Sequence, residues 1–276
     1  MGAGNRYLSI CSMYKDHAAY LREWIEFHRL VGVERFFLYD NESTDEHEEV
    51  LAPYVERGIV EVIDWPSPPH AVNHWGLRFA FDDCLARHRD DSRWIAFIDV
   101  DEFLFSPTGR ALPDVLHGFE GFAGVAVSAL AFGPSGHRTK PSGLVIESYL
   151  RRRAYVSPEA DVEHVKSVVD PGRVDRTHNA HGFYYADGYA VHEDGERAAG
   201  EAPGSKVFPK ASLLRVNHYL TKSIAEYDTK RAQWKALGLS RRPLNARFIE
   251  HLSGERDETI TMYVPALREA LAAPVA

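Results

Sequence analysis

The chain is poor in cysteine, has no long apolar run and carries no basic excess, and each shortage removes a class of protein. Only Cys11 and Cys84 are present among 276 residues, too few for a disulfide framework or a four-thiolate zinc site. Both lie in apolar segments, where buried free thiols are expected, a state suited to a reducing cytoplasm. No stretch approaches the ~18 apolar residues of a membrane-spanning helix. The opening Met1-Gly2-Ala3-Gly4-Asn5-Arg6 lacks the apolar core of a signal peptide, and Arg6 breaks the myristoylation pattern. Lys plus Arg is 32 against 40 for Asp plus Glu, a formal net charge of −8. That balance disfavours general nucleic-acid binding, whose affinity comes largely from neutralising phosphates. There is also no G-x-x-x-x-G-K-[ST], G-x-G-x-x-G or G-x-S-x-G sequence. The P-loop kinase, nicotinamide dehydrogenase and serine hydrolase readings therefore lack their marks.

What is present is ordinary globular material, 45% hydrophobic and 26% charged, which argues against disorder. A chain of this length can remove about three quarters of its unfolded surface from water, so its core needs no covalent staple. Residues 7–13 read as a strand. From Ala18 the period changes: Tyr20, Leu21, Trp24, Ile25, His28 and Val31 recur at helical spacing, predicting an amphipathic helix over 18–31 that Gly32 closes. Residues 35–39 form a β-rich run. Ser43 with Glu46 reads as a capping box for a helix ending at Gly58, and 59–63 is a third strand. Strand–helix–strand–helix–strand in about 60 residues is the signature of a parallel sheet with crossover helices. A rigid loop with Pro66, Pro68 and Pro69 and a helix over 73–87 follow. Residues 94–98 are nearly all apolar, as a strand buried on both faces should be, and 124–130 is a further strand.

Beyond about residue 132 the βαβ rhythm fails, with loops expected at 133–143 and 194–205. A strand over 212–216 and helices over 222–237 and 243–252 are predicted. No repeat appears, so the economical reading is α/β, one domain over 1–276 with an elaborated C-terminal half.

The strongest chemical signal is Asp99-Val100-Asp101, where the buried strand stops. Two carboxylates at i and i+2 can converge on one cation, and hard oxygen ligands suit Mg²⁺ or Mn²⁺ completed by water and substrate phosphates. Asp101 and Glu102 can also form a like-charge pair with one carboxyl kept protonated. His218 ends another apolar strand and is an acceptable third ligand. Lys222, four residues on, can meet a phosphate as a point charge. Lys166, Arg173, His178 and His181 form a polar run that suits a phosphate or sugar contact or a plain surface loop. His178 and His181 have zinc-like spacing, but nothing nearby completes a zinc site.

Several blocks carry a resemblance. They are Tyr20-Leu21-Arg22-Glu23-Trp24-Ile25-Glu26-Phe27-His28 with Gly32-Val33, Tyr39-Asp40-Asn41-Glu42-Ser43-Thr44-Asp45, and Phe97-Ile98-Asp99-Val100-Asp101-Glu102-Phe103 after Trp94. Phe132-Gly133-Pro134-Ser135-Gly136-His137, Lys166-Ser167 with His181, and His218-Tyr219 with Lys222-Ser223 complete the set. In this order, from about residue 7 to 235, the chain resembles glycosyltransferase family 92 and its bacterial family-2-like relatives. It departs at Lys15-Asp16-His17, where the family has Lys-Asn-Glu, and at Pro134.

The resemblance implies a GT-A fold, a Rossmann-like mixed and mostly parallel sheet flanked by helices, with a nucleotide-sugar part at about 5–130 and an acceptor part at about 131–276. It also implies a nucleotide-sugar donor, with UDP-galactose favoured, a carbohydrate or other hydroxyl acceptor, and inversion. Asp99 and Asp101 would hold the cation against the diphosphate, with His218, Lys166 and Lys222 assisting. Asp40 and Asn41 would contact the nucleoside and Lys15 the base or ribose, with Arg78 a lesser candidate for that pocket. Glu102, Glu147, His137 and His181 are the candidate general bases, His181 first because it lies in a matched block. A sugar nucleotidyltransferase would use the same cation–diphosphate logic but lacks its glycine-rich activating loop. A non-catalytic sugar-binding protein on the same fold is the other alternative.

Overall fold

A computed structural model of the chain describes residues 6–66, 75–158, 161–198, 207–236 and 243–275. The first half follows the predicted rhythm: β1 (Arg6–Tyr14), α1 (Ala18–Leu30), β2 (Arg35–Asp40), α2 (His47–Glu56), β3 (Val60–Asp64), α3 (Trp75–His88) and β4 (Ser92–Phe97). β5 (Glu102–Phe105), β6 (Gly124–Ala131), β7 (Val165–Val169), β8 (Ala190–Val191), β9 (Arg215–His218), α4 (Ile224–Ala236) and α5 (Val264–Ala272) complete the frame.

One mixed sheet runs β3-β2-β1-β4-β7-β6-β9-β5, with β8 on the side of β6. β3, β2, β1 and β4 pair in parallel, as do β6 and β9, whereas β7 and β5 run against their neighbours. This is the mixed, mostly parallel, helix-flanked sheet of the GT-A expectation, and β7 and β9 from the second half lie within it.

Alternation along the strands builds a core on each face. Leu8, Ile10, Phe36, Leu38, Trp94 and Ala96 face α1 and α2, while Cys11, Phe37, Tyr39, Ile95 and Phe97 face α3 with Phe81 and Cys84. Both thiols are free and buried. Gly32 has φ +104 and Gly58 φ +67, the left-handed conformation that a helix-ending glycine accepts without a Cβ clash.

Several boundaries differ from the sequence reading. The strand expected over 212–216 is Arg215–His218, because the Glu193 carboxylate takes the amides of Ser212, Leu213 and Leu214 at 2.8–2.9 Å and keeps them from the ladder. Ser43 is not a helix cap. Its amide bonds Asp40 and its hydroxyl accepts from Asp16 N at 2.9 Å, and α2 begins after Glu46. The strands β5 and β7 were not foreseen. The helix expected over 243–252 is Ala246–His251. Pro68, Pro69, the 73–74 start of the expected helix, residues 199–205 of the second loop and Leu237 lie outside the described residues.

The site is set by how β4 passes into β5. Glu102 N donates to Asp99 O at 3.0 Å, closing a tight turn, and β5 then runs antiparallel to β9 with Glu102 opposite His218. Helix α1 grips this turn. Trp24 Nε1 donates to Glu102 O at 2.7 Å, and His28 Nε2 accepts from Leu104 N at 3.1 Å. Burial draws the His28 pKa down to about 3, so its imidazole is neutral in the native state.

In the unfolded chain His28 returns to about 6.5. As pH falls below that value, the unfolded chain takes up a proton that the native fold refuses. Stability then drops by roughly 1.4 kcal/mol per pH unit down toward pH 3. His28→Gln should remove this share. Urea denaturation from pH 7 to 4 should show the wild-type stability falling more steeply than the variant's, and parallel curves would contradict the assignment.

Candidate active site

Three carboxylates in four residues converge at the β4–β5 turn, and cations from other elements meet them. Lys166, the second residue of β7, is buried with its Nζ 2.8 Å from Asp99 Oδ2 and 3.0 Å from Glu102 Oε2. Lys230, two turns into α4, places its Nζ 2.7 Å from Asp101 Oδ2. His218 lies between the acids, Nε2 3.7 Å from Asp101 Oδ1 and Nδ1 3.6 Å from Glu102 Oε1. The turn's backbone takes part as well: Asp99 N donates to Glu102 Oε2 at 2.8 Å and Tyr219 N to Asp101 O at 2.8 Å.

Burial and charge divide the three acids. Burial would raise Asp99 and Asp101, but Lys166 outweighs it at Asp99. Lys230, His218 and Lys222 outweigh it at Asp101, which falls well below the usual carboxylate range. Glu102 is wholly buried, and burial pushes its carboxyl up to about 8 despite Lys166. The proton-bearing member anticipated at Asp101–Glu102 is thus Glu102. Its Oε1 has no hydrogen-bond partner among the described residues. Lys166 itself stays charged, because Asp99 and Glu102 overcome its burial. Burial lowers His218 to about 4 against the pull of Asp101, leaving a neutral imidazole.

Lys222 and His17 stand close by. Lys222 is 8% exposed with φ +48, and burial brings its ammonium down to about 8, Asp101 partly opposing. His17, at the N-terminus of α1, drops to about 4 through burial and then through Lys222. Its Nδ1 faces Lys15 O at 2.6 Å. A carbonyl can only accept, so the proton sits on Nδ1 and Nε2 keeps its lone pair.

His181 is built the same way. Its Nδ1 donates to Val165 O at 3.1 Å, its ring stacks on His164 at 4.3 Å, and burial followed by Lys166 brings it to about 3. The polar residues at the other strand ends brace one another. Lys15 Nζ donates to Asn41 O (2.8 Å) and Glu42 O (2.6 Å), Asn41 Nδ2 to Trp65 O (2.9 Å), and Asp40 accepts from Ser43 N (3.1 Å). Together they form a polar edge across the ends of β1, β2 and β3. Arg78, in the first turn of α3, lies 3.9 Å from Asp82.

The other three base candidates are placed differently. Glu147 is engaged in capping Leu144 N and in an ion pair with Arg268 at 2.8 Å. His137 Nε2 is bonded to Ser148 O at 3.0 Å. Glu102 is sealed inside. His181 is the candidate that the structure keeps beside Lys166 and Asp99. Lys230 was missed, although the sequence held a signal: it falls three residues after Tyr227 and seven after Ser223, both buried, on the inward stripe of the helix.

A mostly parallel α/β sheet with an acidic turn beside its carboxyl edge defines a GT-A-like architecture. Residues 6–195 match the family model described as glycosyltransferase family 92, and the chain belongs to that family. The matched span includes Asp99, Asp101, Glu102, Lys166 and His181. A glycosyltransferase family 92 protein of Oryza sativa subsp. japonica is 33% identical over 181 residues, 63% of this chain and 29% of that protein. One from Ricinus communis is 32% identical over 191 residues, 66% and 32% respectively. The chain therefore spans about a third of the length of these relatives. A galactan beta-1,4-galactosyltransferase of Arabidopsis thaliana is 35% identical over 107 residues, 37% of this chain and 21% of that protein. Among solved structures, S. aureus TarS in complex with UDP aligns with a TM-score of 0.35 at 15% identity, covering 49% of this chain and 38% of the other.

Removing Lys166 should expose the like-charge problem it solves. Lys166→Met is expected to lose about 3–5 kcal/mol of stability, the usual effect of orphaning buried carboxylates. Lys166→Met combined with Glu102→Gln should recover part of that loss. A double-mutant cycle by urea denaturation checks the coupling, and strict additivity would contradict it.

Proposed function

We infer that this chain is the catalytic part of a metal-dependent glycosyltransferase. It transfers a hexosyl group from a nucleotide sugar, UDP-galactose being favoured, to an acceptor hydroxyl with inversion. The observation that carries the reading is Asp99 and Asp101 on one turn, with neutral His218 within 3.7 Å of Asp101, in a chain of family 92.

The donor set suits Mn²⁺ or Mg²⁺: two carboxylates held ionised and one imidazole without a proton to shed. Among the described residues no three His, Cys, Asp or Glu side chains form a cage by themselves, so water and the diphosphate would supply the rest of the shell. Asp99, Asp101 and His218 would hold the cation. When bound, it supplies positive charge to a diphosphate that becomes more negative as the glycosidic bond breaks.

The protein's own groups do the remaining work. Lys166 and Lys230, freed from Asp99 and Asp101 as a cation takes their place, would offer the departing diphosphate ammonium groups whose attraction strengthens as negative charge grows. The edge of Lys15, Asp40 and Asn41 is rigid before binding and receives the nucleoside, with Arg78 flanking it. His181 Nε2 takes the proton from the acceptor hydroxyl. Bound anionic substrate raises that imidazole from about 3 toward a useful basicity.

Two measurements test the reading. Hydrolysis of a panel of nucleotide sugars, with and without Mn²⁺, should show metal-dependent turnover with UDP-galactose preferred. Asp101→Asn should lower the rate on the order of 10²–10⁴-fold, several kcal/mol of transition-state stabilisation. Near-normal turnover in a folded Asp101→Asn variant would refute the assigned role. Pyrophosphate release from sugar 1-phosphate and nucleoside triphosphate would point to nucleotidyl transfer instead. Arg22→Ala is the control: its guanidinium bonds the carbonyls of Leu271 and Ala273, and turnover should change little.

A further inference from the structure

Next to the acidic turn lies a cationic feature that donor binding does not account for. Tyr20 stands in the first turn of α1. Its hydroxyl donates to Glu226 of α4, a carboxylate that also accepts from Tyr149 Oη at 3.2 Å and Ser223 Oγ at 2.5 Å. The ring is therefore fixed from its polar end. Two ammonium groups rest against it: Lys222 Nζ and Lys140 Nζ are each 4.2 Å from the ring centroid. Their separation cannot exceed twice that distance.

One junction sets both lysines. Ile224 N donates to His137 O at 3.1 Å and Ala225 N to Arg138 O at 3.0 Å, which docks the 133–143 loop onto the start of α4. Lys222 precedes that junction by two residues and Lys140 follows Arg138 by two. The nearby carboxylates are occupied elsewhere. Glu23 accepts from Val145 N at 2.7 Å and Ile146 N at 3.4 Å, and Glu226 is engaged as above. Lys140 donates only a long 3.5 Å bond to Ala19 O. No ion pair is formed by either lysine among the described residues, although Lys222 is nine-tenths buried. Burial lowers both ammonium groups, and at Lys222 the repulsion of Lys230 and then of Lys140 adds to it, Asp101 opposing. A cation–π contact to one shared ring offers less than the cost of gathering two cations out of water. An anionic group that reaches both ammonium groups at the Tyr20 ring resolves the imbalance, through charge-assisted hydrogen bonds to each.

We propose that Lys140 and Lys222, set against Tyr20, hold a phosphate or carboxylate group of the acceptor, so that this enzyme glycosylates an anionic acceptor. The proposal rests on the glycosyltransferase reading above. The nucleoside edge is built from the ends of β1, β2 and β3. These lysines come from the 133–143 loop and the β9–α4 connection, and that difference in origin favours the acceptor over the donor as the source of the anion.

The test uses titration calorimetry on the full chain and on Lys140→Gln, whose parent side chain is exposed. UDP with Mg²⁺ is titrated first, then inorganic phosphate onto the UDP-loaded protein. Phosphate should bind the loaded wild type. Lys140→Gln should weaken it roughly fivefold or more, about 1 kcal/mol for one charge-assisted contact, while UDP affinity stays the same. With galactose and galacturonate as paired acceptors, the wild type should prefer the acid in kcat/KM and the variant should lose that preference. Phosphate excluded by UDP, or UDP and phosphate weakened alike by Lys140→Gln, would assign the lysines to the donor's diphosphate and overturn the proposal. So would an absence of phosphate binding. If UDP fails to bind while phosphate still binds through Lys140, the donor reading fails and the anion site stands.

Discussion

The ammonium of Lys166, enclosed between Asp99 and Glu102 at 2.8 and 3.0 Å, is the interaction on which the centre depends. Charges at that range attract by roughly 5 kcal/mol at an effective dielectric of about 20. Desolvating each ion costs several kcal/mol in return. Such a pair is a poor source of stability, and an apolar pair of similar volume often does as well. Its consequence lies in geometry. Lys166 lets the chain turn from β4 into β5 with three carboxylates in four residues and fixes Asp99, as Lys230 fixes Asp101.

The frame that holds this turn is local to α1. Trp24 and His28 bond the backbone of β5 with one face of the helix. Tyr20, from the same helix, carries the two ammonium groups of the neighbouring segment. His17, at its N-terminus, directs a proton-bearing Nδ1 into the backbone of Lys15. One helix thus anchors the acidic turn and the cationic ring side by side, so a shift of α1 would move both. The helical spacing that reads in sequence as an apolar stripe is, in the fold, a row of handles on the site.

Much of this could be read from the sequence, because the alternation of β1, β2 and β4 and the helical period of 18–31 are dense signals with clear stops. The Asp99–Asp101 pair was visible because it interrupts an apolar strand. What escaped had its local signal overridden by a partner distant in sequence. Lys166 breaks the apolar run of β7, and its charge made that strand look like a loop until Asp99 and Glu102 are seen to neutralise it. Ser212–Leu214 look extended, yet a single carboxylate, Glu193, diverts their amides. Glu147 and Glu102 are equally plausible bases in one dimension. An arginine 121 residues away occupies the first, and full burial removes the second.

The charge balance explains why a centre so rich in acids could welcome a diphosphate. Asp99 and Asp101 stay ionised, Glu102 leans toward its protonated form, Lys166 stays charged, Lys222 is brought down only to about 8, and Lys230 pairs with Asp101. The lysines cancel the two carboxylates and leave a small positive excess, so the turn does not repel an anion. A cation arriving alone would compete with Lys166 and Lys230 for oxygens they already hold. An anion arriving alone would find the Lys166 and Lys230 ammonium groups already held by carboxylates. Together they suit the site better than either does alone, since the anion gives the displaced ammonium groups a new partner. That mutual dependence is a coupling between two ligands, and it arises from lysines that hold the carboxylates in place before either ligand arrives.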